Sequence, residues 1–473
     1  MICLSLCSAS ARADAVVASE LPPEQPPSVD APGQGLFEHS VQAPAGDASD
    51  RQATRALSLN GYARADVFVG TRTRELAAAY GEIALRLKAS ARDQGDAFAD
   101  LRVRSFLRGG RVQSEVDLRE AYVNAYLGPL DLRLGHQVIV WGRADAFNPT
   151  NNLTPFDLNV RSPLEDDRRL GSWALRSWLS LAPLRFELAW LPVYAAAQLP
   201  PVAPGEFVTL VEPDFPVARL SNGLGALRVH LELPDVELSV SYLHGPAPLP
   251  GLALAGFSAG QDPPEVRVTR RAYEQDVLGF DFSTALGELV ALRGEAAYRH
   301  PVERAVHAPR PDLAYVLGAD RAFGALSLIA QYAGRYVFDW RSEDGPEMPV
   351  DPNALVNFMP PLPPLLEQMI TTSIEAELAA RNQILFSQRA RVQHLASLRA
   401  EWLTLHDTLS LSALGVVNFT TEEWLLYPKL AYRLNDWLSA TVGAELYAGP
   451  SGSLFGLIDD TLSAGYAELR LSF

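Results

Sequence analysis

A two-residue alternation of apolar and polar side chains constrains the fold of this chain more than any other feature. The alternation starts at Leu57 and recurs as far as Phe473, for example in "EIALRLKA" (82–89), "LGALRVHLEL" (224–233) and "GYAELRLSF" (465–473). Successive side chains of a strand point to opposite faces of a sheet. The pattern therefore predicts many strands, each with one apolar face and one charged face.

The connections between these strands favour a membrane barrel. Counting from Leu57 gives about 18 strands, in which short connections alternate strictly with long ones. The short ones include 127–129, 181–183, 233–235, 285–288, 405–407 and 434–436, and the long ones lie near 143–171, 195–222, 246–265, 341–389 and 448–461. In a closed barrel every backbone amide can hydrogen-bond to a neighbouring strand, which a membrane protein needs because hydrocarbon offers no hydrogen-bonding partner. The predicted fold is an all-β, transmembrane, antiparallel up-and-down barrel over residues 55–473, with extracellular long loops and periplasmic short turns. A soluble β-sandwich is the alternative.

Composition excludes two other classes of protein. The net charge is -16 and no basic block offsets it, so no nucleic-acid partner is expected. The most apolar stretch, 172–194, is interrupted by Arg176, Arg185 and Glu187, which excludes a membrane-spanning helix there.

The N-terminal region is expected to be a targeting segment followed by a flexible leader. Residues 1–14 resemble a signal peptide that lacks the usual positive start, so a longer N-terminus is expected. Both cysteines, Cys3 and Cys7, lie in this segment, and its removal would suit an oxidising compartment. Residues 15–54 are rich in Pro, Ala, Gly, Asp and Ser without periodicity, which predicts a disordered periplasmic leader.

The segment "REAYVNAYLGPLDLRLGHQVIVWGRADAFNPTNNLTPFDL" (119–158) resembles a poorly characterised proteobacterial outer-membrane barrel family, often found near exporters of the resistance-nodulation-division type. The family pattern is roughly REAYxxxxxGxxxxRxGxQxxxWGxAD. His136 departs from it, since that family more often has Arg there. The resemblance implies a porin-like barrel with hydrophobic or lipid-like cargo and an inner-membrane exporter as partner. The matching residues are Arg119, Glu120, Ala121, Tyr122, Gly128, Arg133, Gly135, Gln137, Trp141, Gly142, Ala144 and Asp145.

The long connection 143–171 is a candidate constriction loop. Its turns "FNPT" and "LTPFD" favour a compact loop held by its own side-chain to backbone hydrogen bonds. Two interpretations stay open, a loop folded into the channel and a cap on the surface. The residues expected to act in a constriction are Asp145, Asn148, Asn151 and Asp157. The acidic segment "PLEDDRR" (163–169) is expected to be a solvated loop, with a divalent-ion site as the alternative.

The charged faces of the strands are expected to line the lumen. Arginines and carboxylates are interspersed there, which permits ion pairs between strands and does not favour solutes of one sign. Most of these residues are equally explained as structural wall. They are Arg64, Glu82, Arg86, Arg102, Arg104, Arg133, Arg176, Arg185, Glu187, Arg228, Glu232, Arg293, Glu295, Arg399, Glu401, Arg433, Glu445, Glu468 and Arg470.

One segment, 360–390, breaks the strand pattern. Its apolar residues recur at helical spacing after a proline-rich start. As the longest extracellular insertion it is expected to form an apolar lid or plug, with ordinary loop packing as the alternative. The predicted lid residues are Leu365, Leu366, Met369 and Ile370.

Lipid contacts are expected from aromatic residues near strand ends, which suit interfacial girdles. The candidates are Trp173, Trp178, Tyr194, Trp402, Trp424, Tyr427, Trp437 and Tyr447. Expected partners are outer-membrane lipids and lipopolysaccharide. The terminal Phe473 resembles the signal that the barrel assembly machinery reads.

Enzymatic motifs are weak. "GFSAG" (256–260) matches a nucleophile elbow around Ser258, but the prolines that follow oppose the helix that such an elbow needs. No metal site or cofactor is expected from the scattered histidines. The predicted function is a passive outer-membrane channel for small or amphipathic molecules, gated by inward-folded loops. The alternatives are an outer-membrane hydrolase and a structural barrel with a sealed lumen.

Overall fold

The chain forms a closed antiparallel barrel of 18 strands, as a computed structural model shows. The structure describes residues 56–91, 94–108, 111–199, 208–258, 265–287, 290–343, 364–450 and 452–473. Each barrel strand pairs with its neighbours along the chain, and the first strand also pairs with the last. The predicted fold class is confirmed. The predicted signal peptide and leader lie outside the described residues.

The barrel consists of strands that vary widely in length. They are β1 (Ala56–Gly70), β2 (Leu76–Ala91), β3 (Gly95–Arg108), β4 (Arg111–Leu127), β5 (Leu130–Gln137), β6 (Ser172–Leu181), β7 (Leu184–Leu191), β9 (Leu224–Glu232), β10 (Val236–Pro246), β13 (Glu274–Leu286), β14 (Val290–Pro301), β15 (Asp312–Phe323), β16 (Leu326–Val337), β17 (Val392–Thr404), β18 (Leu409–Asn418), β19 (Glu423–Arg433), β20 (Leu438–Ala448) and β21 (Ala464–Ser472).

Three further strands and two helices lie in the long connections. Strands β8 (Val208–Leu210), β11 (Gly251–Ser258) and β12 (Glu265–Arg271) form a separate small sheet. The helices are α1 (Pro364–Leu385) and α2 (Leu454–Leu462), and short 3-10 turns occupy Glu165–Arg168 and Leu220–Asn222. Within the described ranges, no helix is both long and apolar enough to cross a membrane.

The two ends of the barrel differ in their connections. One end, the short-turn end, has tight turns such as 128–129 and 324–325, whereas the other, the long-loop end, carries 138–171 and 338–391. The predicted strict alternation of short and long connections is wrong in detail. Connections 71–75 and 419–422 are short although they lie at the long-loop end, because β1–β2 and β18–β19 are continuous hairpins.

The outer surface of the barrel is apolar, and the aromatic residues only partly follow the prediction. Trp173, Trp402, Trp424 and Trp437 are exposed on this surface, where interfacial girdles are expected. Trp178 and Tyr447 are buried inside the barrel instead, where Trp178 stacks on Arg176. Tyr427 also lies inside, with its hydroxyl against that of Tyr447. Tyr194 lies in a loop and donates to the Ala247 carbonyl at 2.9 Å.

A charge placed on this apolar surface tests the membrane contact. Leu317 is 55% exposed near the middle of β15, and we expect Leu317→Arg to cost about 2–4 kcal/mol of folding free energy in bilayers. Urea titration in lipid vesicles measures the change. The matched control is Leu220→Arg in the 192–223 connection, where the side chain is 75% exposed away from the barrel wall. Equal effects of the two substitutions would contradict a lipid-facing Leu317.

Candidate functional site

Residues 138–171, called the inner loop below, leave the end of β5 and fold into the barrel. Ile139, Trp141, Ala146, Leu153 and Phe156 are all buried. A cap on the surface would leave such side chains exposed at the rim, whereas here they are buried against the inside of the wall. A constricting role for this loop stays a prediction.

The turn at residues 143–150 is bound to the barrel wall by one carboxylate. Glu295 of β14 accepts hydrogen bonds from the backbone amides of Arg143 and Ala144, the latter at 2.5 Å. It also accepts from the Thr150 hydroxyl at 2.8 Å. Gln331 of β16 accepts from the Ala146 amide at 2.9 Å. Because several donors of the turn converge on one buried carboxyl group, this contact fixes the turn.

The loop also holds its own shape, as its Asx-rich sequence predicts. The Asn148 carboxamide oxygen accepts from the Asn151 amide at 3.1 Å and from the Thr150 hydroxyl at 3.2 Å. Asn152 donates to the Pro149 carbonyl at 2.8 Å. Gly142 has φ +102°, and a Cβ there would meet the Asn148 side chain at 2.1 Å. A larger residue at position 142 would therefore displace Asn148.

A second part of the inner loop is held by ion pairs on the other side of the barrel. Asp167 lies 2.6 Å from Arg64 of β1 and 2.7 Å from Arg102 of β3, and all three side chains are buried. Arg168 pairs with Glu445 of β20 at 2.7 Å. The prediction that 163–169 is a solvated acidic loop is wrong, because the wall arginines bury Asp167.

Asp145 connects the loop to a third sector of the wall. Its carboxylate accepts from Arg399 of β17 at 2.7 Å, and Arg399 also contacts Glu165. Burial raises the pKa of Asp145 to about 6, although Arg399 acts in the opposite direction. Burial also disfavours the charged form of Asp167, but Arg64, Arg102 and Arg119 hold its pKa well below the usual range.

These shifts predict that acidification tightens the inner loop. The pKa of Asp145 is 3.8 when the carboxyl group is freely solvated and about 6 when the loop is docked. Protonation of Asp145 therefore stabilises the docked loop. This stabilisation is complete below pH 3.8 and is lost as the pH rises through about 6. Asp167 stays ionised in this range. We expect a smaller open fraction in planar-bilayer recordings at about pH 5 than at about pH 7.5, and Asp145→Asn should reduce this dependence. A larger open fraction at low pH would contradict it.

The other predicted constriction residues have structural partners. Asn151 accepts a long hydrogen bond from the Trp141 amide at 3.4 Å. Asp157 accepts from the Asn159 amide at 2.8 Å, and its own backbone pairs with Arg168. The structure thus brings Asp145, Asn148 and Asn151 to one turn and places Asp157 apart from them.

Most of the predicted pore-lining residues lie inside the barrel and bond to one another or to the inner loop. Glu82 pairs with Arg64 at 2.8 Å and Arg104 at 2.5 Å. Further contacts join Arg86 to Asp100, Arg133 to Asn124, Arg176 to Glu187, Arg228 to Asp281, Arg293 to Asp320 and Glu401 to Ser410, while Arg470 stacks on Tyr62 and Glu468 lies 3.6 Å from Arg64. Toward the short-turn end, Arg185 lies 3.9 Å from Glu232, and Arg433 is exposed.

The interior of the barrel toward the long-loop end is apolar, which the sequence pattern did not predict. Two buried clusters lie there, where inward side chains of the wall pack against the inner loop. One includes Trp141, Leu153 and Leu224. The other includes Phe147 and Leu414 and continues onto α2. The expectation of one charged face along every strand is therefore wrong near that end, because loop residues replace water against the wall.

Several wall carboxylates and amides were also missed. Asp281 pairs with Arg143 of the loop at 2.8 Å and with Arg228 at 2.7 Å. Asp312 pairs with Arg299 and Arg335. The alternation of side chains along the strands could have identified these residues, because Asp281 points inward between the outward Phe280 and Phe282.

The predicted lid segment forms a helix, α1, but the four predicted lid residues differ in their exposure. Leu365 and Met369 are 71% and 59% exposed, Leu366 is half-buried and Ile370 is buried. The helix is fixed near its end, where Asn382 hydrogen-bonds Leu252 of β11 in both directions at 2.8 Å. Residues 344–363 of the same connection lie outside the described residues.

Ser258 is not presented as a nucleophile elbow requires. It is the last residue of β11 and opposes Glu265 of β12 in register. Among the described residues, no group of three or more His, Cys, Asp or Glu side chains could hold a metal ion.

Comparison with known proteins gives a partial family match and distant structural likenesses. Residues 88–186, which include the whole inner loop, match a family described as "Protein of unknown function (DUF1302)". The comparison with curated proteins found no match. Pseudomonas aeruginosa OccK5 (OpdH) is 10% identical over 88% of this chain and 97% of its own, with a TM-score of 0.46. OccK11 (OpdR) of the same organism is 12% identical over 89% and 94%, with a TM-score of 0.44. A triple mutant of Rhodopseudomonas blastica porin is 7% identical over 88% and 100%, with a TM-score of 0.40.

Proposed function

We propose that this protein is a passive channel of the bacterial outer membrane for small or amphipathic solutes, and that the inner loop controls passage. The observation that carries the proposal is the placement of that loop. It lies inside a closed barrel and is bound to the wall at Glu295, Arg399 and Arg64, three well-separated strands.

The chemistry of these contacts supports a movable constriction. Hydrogen bonds and ion pairs have counterparts in water, so release of the loop exchanges these contacts for bonds to water instead of leaving the polar groups unpaired. The lumen toward the short-turn end has charged groups of both signs, such as Arg185 and Glu232. Such a mixture keeps the passage wet without selecting strongly for anions or cations.

In this proposal the long-loop end faces outward and the short-turn end faces the periplasm. The leader 15–54, after removal of the signal peptide 1–14, then lies in the periplasm. Phe473 pairs its backbone with Gly61 at 2.8 and 3.0 Å, so the residue proposed to be read by the assembly machinery sits at the barrel seam. Lipids and lipopolysaccharide would contact the outer surface, and an inner-membrane exporter remains a proposed partner.

A structural barrel with a sealed lumen is the second candidate. The apolar clusters around Trp141 and Phe147 favour it, because apolar packing inside the barrel excludes water as well as solute. In this case the inner loop would serve as a permanent plug.

Conductance of the purified protein in planar bilayers separates the two candidates. A channel is expected to show discrete current steps, and liposomes containing it are expected to swell in isotonic solutions of small sugars or amino acids. Neither signal is expected from a sealed barrel. Absence of current from the full chain and also from a variant with a released inner loop would overturn the channel proposal.

A further inference from the structure

Three aromatic rings touch one another on the outer surface of the barrel, near the long-loop end. Tyr298 meets Phe338 edge to face, with ring centroids 5.7 Å apart, and Phe338 meets Tyr336 in the same way at 4.9 Å. Tyr336 and Phe338 alternate with the buried Arg335 and Val337, which places both rings on the outer face. Because such contacts hold the rings in place, the three form a rigid surface, called the outer platform below.

A basic side chain stands at each end of this row of rings. The Arg391 guanidinium donates to the Tyr336 hydroxyl at 2.6 Å and lies 5.3 Å from the centre of that ring. At the other end, the His300 ring stacks on Tyr298, with centroids 6.2 Å apart. Both basic side chains are exposed. An arginine is always charged, and an imidazole donates a hydrogen bond even when it is neutral.

The carboxylates that border the outer platform have basic partners of their own. Asp276 opposes His300 in register and shares a hydrogen bond of 2.9 Å with His244. Asp339 follows Phe338 in the chain and pairs with Arg304 at 3.0 Å. Within the described ranges Arg391 forms no ion pair. This part of the surface therefore offers positive charge and hydrogen-bond donors, although the whole chain has a net charge of -16.

Toward the middle of the barrel, the same outer face is apolar. Leu278, Leu317 and Leu398 are 55%, 55% and 53% exposed on β13, β15 and β17. In the proposed orientation the long-loop end faces outward, so the outer platform lies at the level of the head groups of the outer leaflet. A molecule that covers both regions has acyl chains on one side and a polar, negatively charged group on the other.

We propose that the outer platform binds a glycolipid of the outer leaflet whose head group is a sugar unit with a phosphate at each end. The sugar packs on Tyr298 and Phe338, because the negative face of an aromatic ring attracts C–H groups. One phosphate accepts from Arg391, whose guanidinium matches two phosphate oxygens, and the other accepts from His300. The acyl chains lie along the leucines. The proposal rests on the proposed function in one respect, the orientation of the barrel in an outer membrane.

Native mass spectrometry of the detergent-solubilised full chain, titrated with lipid, tests the proposal without any conductance measurement. Lipid A, a diglucosamine lipid with two phosphates, is the probe. Dephosphorylated lipid A tests the charge, and phosphatidylglycerol tests the sugar. We expect lipid A to bind about tenfold more tightly than either of the others, a difference of about 1.4 kcal/mol. Equal binding of the dephosphorylated lipid would overturn the role of the basic groups, and equal binding of phosphatidylglycerol would overturn the role of the rings.

Substitutions locate the site. Arg391→Gln removes the charge and should weaken lipid A binding about tenfold. The matched control is Arg321→Gln, because Arg321 lies 4.5 Å from the centre of the Phe323 ring and is exposed at the short-turn end of β15. This control should leave the affinity unchanged. Equal weakening by the two substitutions would overturn the placement at the long-loop end.

A second pair of variants tests the rings in the same titration. Phe338→Leu keeps an apolar surface but interrupts the row of rings, and it should weaken lipid A binding several-fold. Phe323→Leu, at a ring that is 51% exposed near the short-turn end, should not. Preferential lipid A binding by a protein that passes no current would remove the channel proposal and leave this site intact. Current without any preference for lipid A would remove this site and leave the channel.

Discussion

Replacing Glu295 with alanine is expected to raise the conductance of the protein in planar bilayers several-fold. The substitution removes the acceptor for the amides of Arg143 and Ala144 and for the Thr150 hydroxyl. A buried hydrogen bond contributes about 0.5–1.5 kcal/mol, and about 1.5–3 kcal/mol when the acceptor is charged, so the loss of three such bonds lowers the docking free energy of the turn at 143–150 by several kcal/mol. A shift of that size moves a two-state equilibrium from mostly closed to mostly open.

Two further variants make this result specific. Glu295→Gln keeps one acceptor oxygen and should give an intermediate conductance. Glu232→Ala removes a glutamate that is half exposed near the short-turn end and does not contact the inner loop, so its conductance should match the unmodified protein. If Glu295→Ala and Glu232→Ala had the same conductance, Glu295 could not be the anchor of a gating loop.

Replacing Arg64 with leucine is expected to have the largest effect on stability. Arg64 is buried beside Glu82 at 2.8 Å, Asp167 at 2.6 Å and Glu468 at 3.6 Å. Its removal breaks these buried ion pairs, although Arg102 still pairs with Asp167 and Arg104 with Glu82. Breaking a buried ion pair typically costs about 3–5 kcal/mol. The same variant also frees the 162–169 part of the inner loop.

Urea unfolding in detergent, followed by the heat-modifiable mobility of the barrel in gels, measures this cost. Arg72→Leu is the matched control, because Arg72 pairs with Asp459 and Asp460 but is 60% exposed. An exposed pair contributes about 0–1 kcal/mol, so the control should lower the unfolding midpoint only slightly. A drop in Arg64→Leu no larger than in Arg72→Leu would show that the buried network is dispensable.

The barrel itself could be predicted from local sequence, because strand parity is a property of neighbouring residues. Parity places Arg64, Glu82 and Glu295 on the inside without any knowledge of the rest of the chain. It does not say what each inward residue meets. Asp145 and Arg399 are 254 residues apart in sequence, and the contact between them depends on the path of a loop rather than on any periodicity.

The errors share one physical cause. Leu414 and Trp178 lie inside the barrel although apolar residues were expected outside, because the inward side of a strand is apolar wherever protein rather than water covers it. The alternation of side chains separates the two faces of a strand, but only the tertiary structure shows whether a face contacts water, lipid or protein. The small sheet of β8, β11 and β12 was missed for a related reason, since its three strands pair with one another and not with the barrel strands.

The inner loop also has a mechanical consequence. The loop forms an ion pair with β1, between Asp167 and Arg64, and another with β13, between Arg143 and Asp281. These two strands lie on opposite sides of the barrel. A strut across a hollow cylinder resists flattening of its circular section into an ellipse. Withdrawal of the loop would therefore soften the cylinder as well as widen its bore, and current through the released form should fluctuate more as surrounding lipid deforms the wall.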